Sequence, residues 1–286
     1  MVIIADGGST KTSWCLITDS NTKVYFNTEG YNPYFSDTPT IISSLQKNLP
    51  ENLRKDAVTE VNYYGAGCSA PEKVEIVAAA MRAVFTNANV YVGHDLLAAA
   101  RALLGVEPGF AAILGTGANT CLYDGKNVTL NIDSLGYFLG DEGSGSHIGK
   151  RLVRDYMRGY LPEGMQKIFK DTYELTNEDI FDHLYNKPLP NRFLASFSKF
   201  LYENNNFSYS REVVKESFEA FFKNLVCHYP NYEQYSLNCV GSVGYNFRDV
   251  LEEVSSEYNM AFGKIIRSPI DDLVYYHSVL APQTQI

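Results

Sequence analysis

Val2-Ile3-Ile4-Ala5-Asp6-Gly7-Gly8-Ser9-Thr10-Lys11-Thr12 runs from an apolar segment into a glycine-rich turn, and Trp14-Cys15-Leu16-Ile17 leads out of it. The same design returns at Ala111-Ala112-Ile113-Leu114-Gly115-Thr116-Gly117-Ala118-Asn119-Thr120, followed by Cys121-Leu122-Tyr123. Gly7 and Gly115 lie 108 positions apart, as do Thr12 and Thr120. Two short apolar runs flanking a glycine turn predict a β-hairpin. Glycine there lets the backbone approach a ligand closely, while hydroxyls and amide N–H groups supply donors. Two such hairpins, one in each half of a duplicated chain, could grip a polyphosphate from both sides of a cleft.

The elements around each hairpin repeat as well. Strands are predicted at 2–6, 12–18 and 23–28, a helix at 38–48, a strand at 61–65, a helix from Pro71 to about Phe85, a strand at 90–92 and a helix at 96–104. After Pro108-Gly109 the order restarts, with strands at 110–114, 119–124 and 127–132 and a long helix after Gly140-Asp141-Glu142-Gly143-Ser144. Residues 163–228 are mostly helical by periodicity, and a strand at 237–241, a helix at 247–258, a further strand and a last helix close the chain. This alternation predicts an α/β protein of two related domains, each a mixed sheet with flanking helices, around a central cleft. The expected boundaries are 1–108 and 109–286, with a helical insertion over about 163–228 and a last helix, about 271–280, packing back on the N-terminal domain.

The 286 residues are long enough for two ordinary domains, and 45% apolar content indicates packed cores. A formal charge of −9 without a long basic block argues against nucleic-acid or anionic-membrane binding. No apolar stretch approaches the ~20 residues of a membrane span. Cys15, Cys68, Cys121, Cys227 and Cys239 are odd in number and scattered, which suits buried thiols in a reducing cytoplasm rather than a disulfide framework or metal site.

Familiar nucleotide motifs fail. Gly149-Lys150-Arg151 lacks the Ser/Thr of a Walker loop, and Gly143-Ser144-Gly145-Ser146-His147-Ile148 ends wrongly for a dinucleotide fingerprint. Asp6 is either a turn former or a carboxylate facing Mg²⁺, usually through water. Lys11 is either a solvated hairpin lysine or a phosphate contact. Asp95 follows a strand and opens a helix, so it reads as an N-cap, as a base for a substrate hydroxyl, or as both. His94 reads as a loop residue rather than a metal ligand. Asp141 and Glu142 form a glycine-flanked acidic pair; capping explains it, and so do hydrogen bonds to sugar hydroxyls. Gly30-Tyr31-Asn32-Pro33 is a turn whose Asn could also reach a polar substrate. Gly241-Ser242 follows a late strand and could pass under an adenine ring.

With these residues assembled, the chain resembles the sugar kinase/actin/heat-shock chaperone superfamily, and within it the N-acetylglucosamine kinase-like branch of the BadF/BadG/BcrA/BcrD ATPase family. The resemblance spans nearly the whole chain and is strongest at Asp6–Thr12, Gly93–Ala100, Gly115–Thr120 and Gly136–Ser144. It implies two ribonuclease H-like (actin-like ATPase) domains and transfer of a phosphoryl group from ATP, with Mg²⁺, to a hydroxyl of an N-acetylated amino sugar, the 6-hydroxyl by expectation. It implies ATP contacts at Asp6, Gly8, Ser9, Thr10, Lys11, Gly115, Thr116, Gly241 and Ser242, and sugar contacts at Asn32, Asp95, Ala118, Asn119, Gly136 and Asp141. Asp95 maps onto the family's catalytic aspartate. The family's aminosugar kinases often carry Trp-Gly before the acidic segment, where this chain has Leu135-Gly136, so N-acetylmuramate is an alternative substrate. A BadF-type ATPase that activates a redox partner is the alternative function, and a non-catalytic sugar sensor is a third. The expected partners are ATP and a small sugar, with a homodimer left open.

Overall fold

The structure, a computed structural model, describes residues 1–8 and 10–280. The chain divides into two compact units. The first comprises Met1–Glu107, Gly125–Asn127 and the chain from Pro269 on; the second comprises Pro108–Asp124 and Val128–Ser268.

The first unit is built on β1 (Val2–Gly7), β2 (Lys11–Ile17), β3 (Lys23–Glu29), β4 (Glu60–Gly65) and β5 (Asn89–His94), in the sheet order β3-β2-β1-β4-β5. β1 pairs antiparallel with β2, and β2 with β3. β4 lies parallel to β1, and β5 parallel to β4. Parallel pairing needs crossovers, supplied by α1 (Thr38–Asn48) and α2 (Pro71–Val84), with α3 (Asp95–Leu104) following β5. Pro71 stands in the first turn of α2, where its missing N–H would have no partner anyway. One face of the sheet buries Ile3, Ala5, Trp14, Leu16, Val61 and Tyr63 against Ile41, Leu45, Val77 and Met81 of the helices. The Trp14 indole stacks on Phe26 and donates to Thr28 Oγ1 at 3.0 Å, so its one polar atom is satisfied inside the core.

The second unit repeats the plan with β6 (Gly109–Leu114), β7 (Ala118–Tyr123), β8 (Val128–Leu130), β9 (Ser236–Val240) and β10 (Ala261–Ile266), in the order β10-β9-β6-β7-β8. Its pairings match strand for strand: β6 with β7 and β7 with β8 antiparallel, β6 with β9 and β9 with β10 parallel. The two mixed five-stranded sheets bear out the duplicated α/β architecture. Between β8 and β9 run α4 (Gly136–Leu139), α5 (Gly145–Met157), α6 (Glu163–Tyr173), α7 (Asn177–Tyr185), α8 (Pro190–Ser196), α9 (Ser198–Glu203) and α10 (Ser208–Asn224). Phe169, Phe197, Phe200, Phe218, Phe221 and Phe222 fill this helical layer. The helix expected over 247–258 is found as α12 (Arg248–Glu257), and a short helix not expected from the sequence, α11 (Ser242–Asn246), precedes it.

The closing helix α13 (Ile270–Tyr275) belongs to the first unit, where it packs on α3 and β1, and Tyr276–Leu280 continues it as a π-helical turn. Arg101 of α3 lies over the rings of Tyr64 and Tyr276 and donates to the Tyr64 hydroxyl. The same hydroxyl meets His277 Nε2 at 2.8 Å. Burial, then the Arg101 charge, lowers the His277 pKa from 6.5 to about 4. A buried neutral histidine makes the unfolded chain bind the extra proton, so its contribution is fully present above about 6.5 and is lost as the pH falls towards about 4. Allowing for the ring's partial exposure, this amounts to about 2 kcal/mol. Denaturant unfolding of wild type and His277→Gln at pH 7 and pH 4.5 measures it; the variant is expected to lose less stability on acidification, and an equal loss refutes the assignment.

Candidate active site

The first unit gathers two carboxylates at one end of its sheet. Strand register aligns Asp6 with Tyr64, and Tyr64 with Gly93. Asp6 therefore ends β1 while Asp95, the first residue of α3, leaves β5 at the same edge, the carboxyl end of the parallel strands. Asp6 is close enough to Asp95 to feel its charge. Burial, then repulsion from Asp95, raises the Asp6 carboxyl to about 7, with Lys11 pulling the other way. Burial also raises Asp95, opposed by backbone N–H bonds that include Leu96 N–H to Oδ1 at 2.9 Å. Both groups are half-buried. An ionised pair so placed favours a cation or a proton between its members.

The turn beside them is held by backbone. Gly8 N–H donates to the Lys11 carbonyl at 2.9 Å, and Gly30 N–H to the Thr10 carbonyl at 3.1 Å. Thr10 and Lys11 are exposed. Ser9 lies outside the described residues. Gly7 admits no side chain: a Cβ there would stand 2.2 Å from the Tyr63 hydroxyl oxygen. Tyr63 is fully buried under the turn, and nothing in the local sequence marks it for that role.

Asp95 does not cap α3. The N-cap is His94, whose Nδ1 accepts from Leu97 N–H at 3.1 Å, leaving Asp95 one position inside with its carboxylate available. An imidazole that accepts at Nδ1 is neutral at that nitrogen, and burial accordingly lowers the His94 pKa. Asn32 shapes its own turn. Its Oδ1 accepts from Tyr34 N–H at 3.0 Å and its carbonyl from Phe35 and Ser36, each at 2.9 Å, while its carboxamide nitrogen has no partner among the described residues.

In the second unit, Gly115 N–H donates to the Gly117 carbonyl at 3.0 Å. The start of α5 supports this turn from below: Gly145 N–H donates to the Gly115 carbonyl at 2.8 Å and Ser146 N–H to that of Thr116 at 3.0 Å. Asp141 is 6% exposed, and its Oδ1 accepts from Ala118 N–H at 3.1 Å. Burial raises its pKa, and the Ala118 bond, then Ser134, moderates the rise. Its φ of +56° places it in the left-handed region, a strain of about 1–2 kcal/mol that Asp tolerates better than most residues. The acidic pair is not a helix cap. Ser144 caps α5, accepting from His147 N–H at 3.2 Å, and Glu142 instead accepts from Asn224 at 2.9 Å. Asp141 is thereby turned towards the hairpin rather than along the helix axis.

Asn119 on β7 has its Oδ1 engaged by Asn131 Nδ2 at 2.9 Å, which orients its amide nitrogen outward as a donor. Asn131 and Ser134 thus serve as supports that no motif announces. Gly136 has φ +68° with open space where a Cβ would be, and it joins no other predicted contact directly. Gly241 passes the hairpin strand so closely that a Cβ would lie 2.3 Å from the Leu114 carbonyl, with φ at +130°. Ser242 next to it is exposed. The second unit thus brings Gly115, Thr116, Ala118, Asp141 and Gly241 together. Among the described residues no cluster of three or more His, Cys, Asp or Glu could hold a metal by itself, the cysteines are free thiols, and no helix is long and apolar enough to cross a membrane.

No protein-family model and no curated protein matches the chain. Among solved structures, a protein of Porphyromonas gingivalis provisionally named an N-acetylglucosamine kinase is 37% identical, with 97% of this chain and 98% of that one covered and a TM-score of 0.91. One of the same provisional name from Chromobacterium violaceum is 15% identical over 96% and 98% of the chains at TM-score 0.67. A ROK family glucokinase of Streptomyces griseus, solved with glucose and AMPPNP, is 14% identical over 98% and 99% at TM-score 0.54. The last two share the fold alone. With a 37% identical relative matched along almost its full length, the chain belongs to the N-acetylglucosamine kinase-like family, phosphotransferases with an alcohol acceptor inside the sugar kinase/actin/heat-shock chaperone superfamily.

Proposed function

We propose that the protein transfers the γ-phosphoryl group of ATP to a hydroxyl, the 6-hydroxyl, of an N-acetylated amino sugar such as N-acetylglucosamine. The single observation that carries this reading is the Asp6–Asp95 pair at the carboxyl edge of the first sheet, beside the turn that opens with Gly7 and Gly8. The name of the 37% identical relative supports the substrate class.

In this reading Gly8, Ser9, Thr10 and Lys11 contact the ATP phosphates from the first unit, Gly115 and Thr116 contact them from the second, and Gly241 and Ser242 border the adenosine. Mg²⁺ is implied by the chemistry. The crowded negative charge at Asp6 and its hard oxygen donors fit that ion, which would be held largely through water and would neutralise phosphate charge. Asn32, Ala118, Asn119, Gly136 and Asp141 orient the sugar. Asp95 accepts the proton of the attacking hydroxyl, and its raised pKa brings it closer to the operating pH, where a general base is most effective. The remaining catalysis is positioning and exclusion of water.

The decisive assay couples ADP release to a panel of N-acetylglucosamine, N-acetylmannosamine, N-acetylmuramate, glucosamine and glucose, with a no-sugar control. An N-acetylated sugar is expected to stimulate turnover most; ATP hydrolysis that ignores every sugar overturns the reading in favour of an ATPase. Asp95→Asn is expected to lower kcat by ~10²–10⁴ with nucleotide affinity retained, and near-wild-type turnover removes the base. Asp141→Asn, which keeps an acceptor for Ala118 N–H, is expected to raise the KM for sugar about 10-fold, the worth of one hydrogen bond to a charged acceptor, while leaving the KM for ATP unchanged.

A further inference from the structure

A cavity of about 360 Å³ opens between α5 and α10 in the second unit. That is at the lower end of the range for small-molecule sites, roughly 300–1,000 Å³. Its α5 wall presents His147, Lys150, Arg151 and Arg154, at the i, i+3, i+4, i+7 spacing that stacks side chains along one helix face. Its α10 wall presents Glu216 and Ser217.

The donors are not all satisfied. Asp155, buried behind the cavity, accepts from Arg151 Nε at 2.6 Å, Arg154 Nε at 2.9 Å and the Tyr209 hydroxyl at 2.9 Å, so three of its roughly four acceptor sites are taken. Glu216 accepts from a terminal nitrogen of Arg151 at 2.6 Å. Three cations thus face two carboxylates across the cavity, with Glu142 near enough to act on His147 and Asp141 near enough to feel Lys150, and burial, then Lys150, holds His147 towards its neutral form. Among the described residues neither terminal nitrogen of Arg154 has a partner, and Lys150 Nζ gives one bond, to the Tyr137 carbonyl at 3.0 Å. With the second terminal nitrogen of Arg151, this leaves several donors in a fork-and-point arrangement around one opening.

We propose that this cavity is a binding site for a small molecule bearing a phosphate dianion. A phosphate offers three terminal oxygens, enough to engage the Arg154 fork and the Lys150 ammonium at once, whereas a carboxylate offers two. The site is separate from the residues assigned to the transfer reaction and does not rest on that assignment. It still reaches them through two side chains: Lys150 is close enough to lower the Asp141 pKa, and Ser217 Oγ accepts from Gly143 N–H at 3.2 Å and meets His147 Nδ1 at 2.8 Å, tying the cavity wall to the loop that carries Asp141.

Isothermal titration of the full chain tests the site, with a non-hydrolysable ATP analogue at saturation and inorganic phosphate, glucosamine 6-phosphate and acetate as probes. Saturable binding of a phosphate probe is expected, weakened at least about 10-fold in Arg154→Gln and in Lys150→Gln. Tighter binding of glucosamine 6-phosphate assigns the site to an organic phosphate, and equal binding assigns it to free phosphate. Lys150→Gln leaves Asp155 paired, so it decides the matter if Arg154→Gln unfolds. Unchanged affinity in the folded variants, absence of phosphate binding, or acetate binding as tight as phosphate each overturns the proposal.

Discussion

Absence of a side chain at the hairpin turns is the constraint on which the rest of this structure depends. At Gly7 the place of a Cβ is taken by the Tyr63 hydroxyl and at Gly241 by the Leu114 carbonyl, and at Gly117 the Asp141 carboxylate would stand a tight 3.1 Å from it. In each case backbone is brought against a group that belongs to the sheet or to the acidic loop. The turns are consequently fixed from beneath by packing and from within by the Gly8 and Gly115 N–H bonds. Phosphate recognition by backbone needs this arrangement, because a flexible turn would lose on binding the entropy that a fixed one has already given up.

Charge is organised around the same turns. The chain is acidic overall, so a polyphosphate site cannot rely on net attraction. The first unit instead concentrates two carboxylates at the carboxyl edge of its sheet and lets burial and mutual repulsion raise the Asp6 pKa. The second unit keeps a single carboxylate, Asp141, at its hairpin and satisfies it with one backbone N–H. The sheets are duplicates, but the acid groups on them are not. Duplication supplied a scaffold, and each copy carries a different part of the chemistry.

Support for these groups comes from residues with no motif of their own. His94 caps α3 and so spares the Asp95 carboxylate that role, leaving it bound only to neighbouring backbone N–H groups such as Leu96. Asn131 fixes the amide of Asn119. Ser134 receives the Asp141 N–H at 2.8 Å and helps hold its left-handed backbone. Replacing any of these would disturb an atom that the proposed reaction uses, without itself being assigned a contact to the ligand.

The sequence by itself determined the strand and helix order, the duplication and the glycine turns, because these depend on spacing between near neighbours: β1 to β3 and α1 lie within a residue of where alternation, turn chemistry and Pro50 place them. It also placed Asp6, Asp95 and Asp141 at strand and helix boundaries. Tertiary structure alone decided what those carboxylates do locally. Asp95 and Asp141 both looked like helix caps, and both gave that role to a neighbour, His94 and Ser144. It alone chose Tyr63 to floor the first turn and added the short helix α11 ahead of α12. A cap is settled by which acceptor the folded backbone aims at an N–H, and a floor by which side chain fills a buried space. Both depend on residues brought together from distant parts of the chain, which local periodicity does not record.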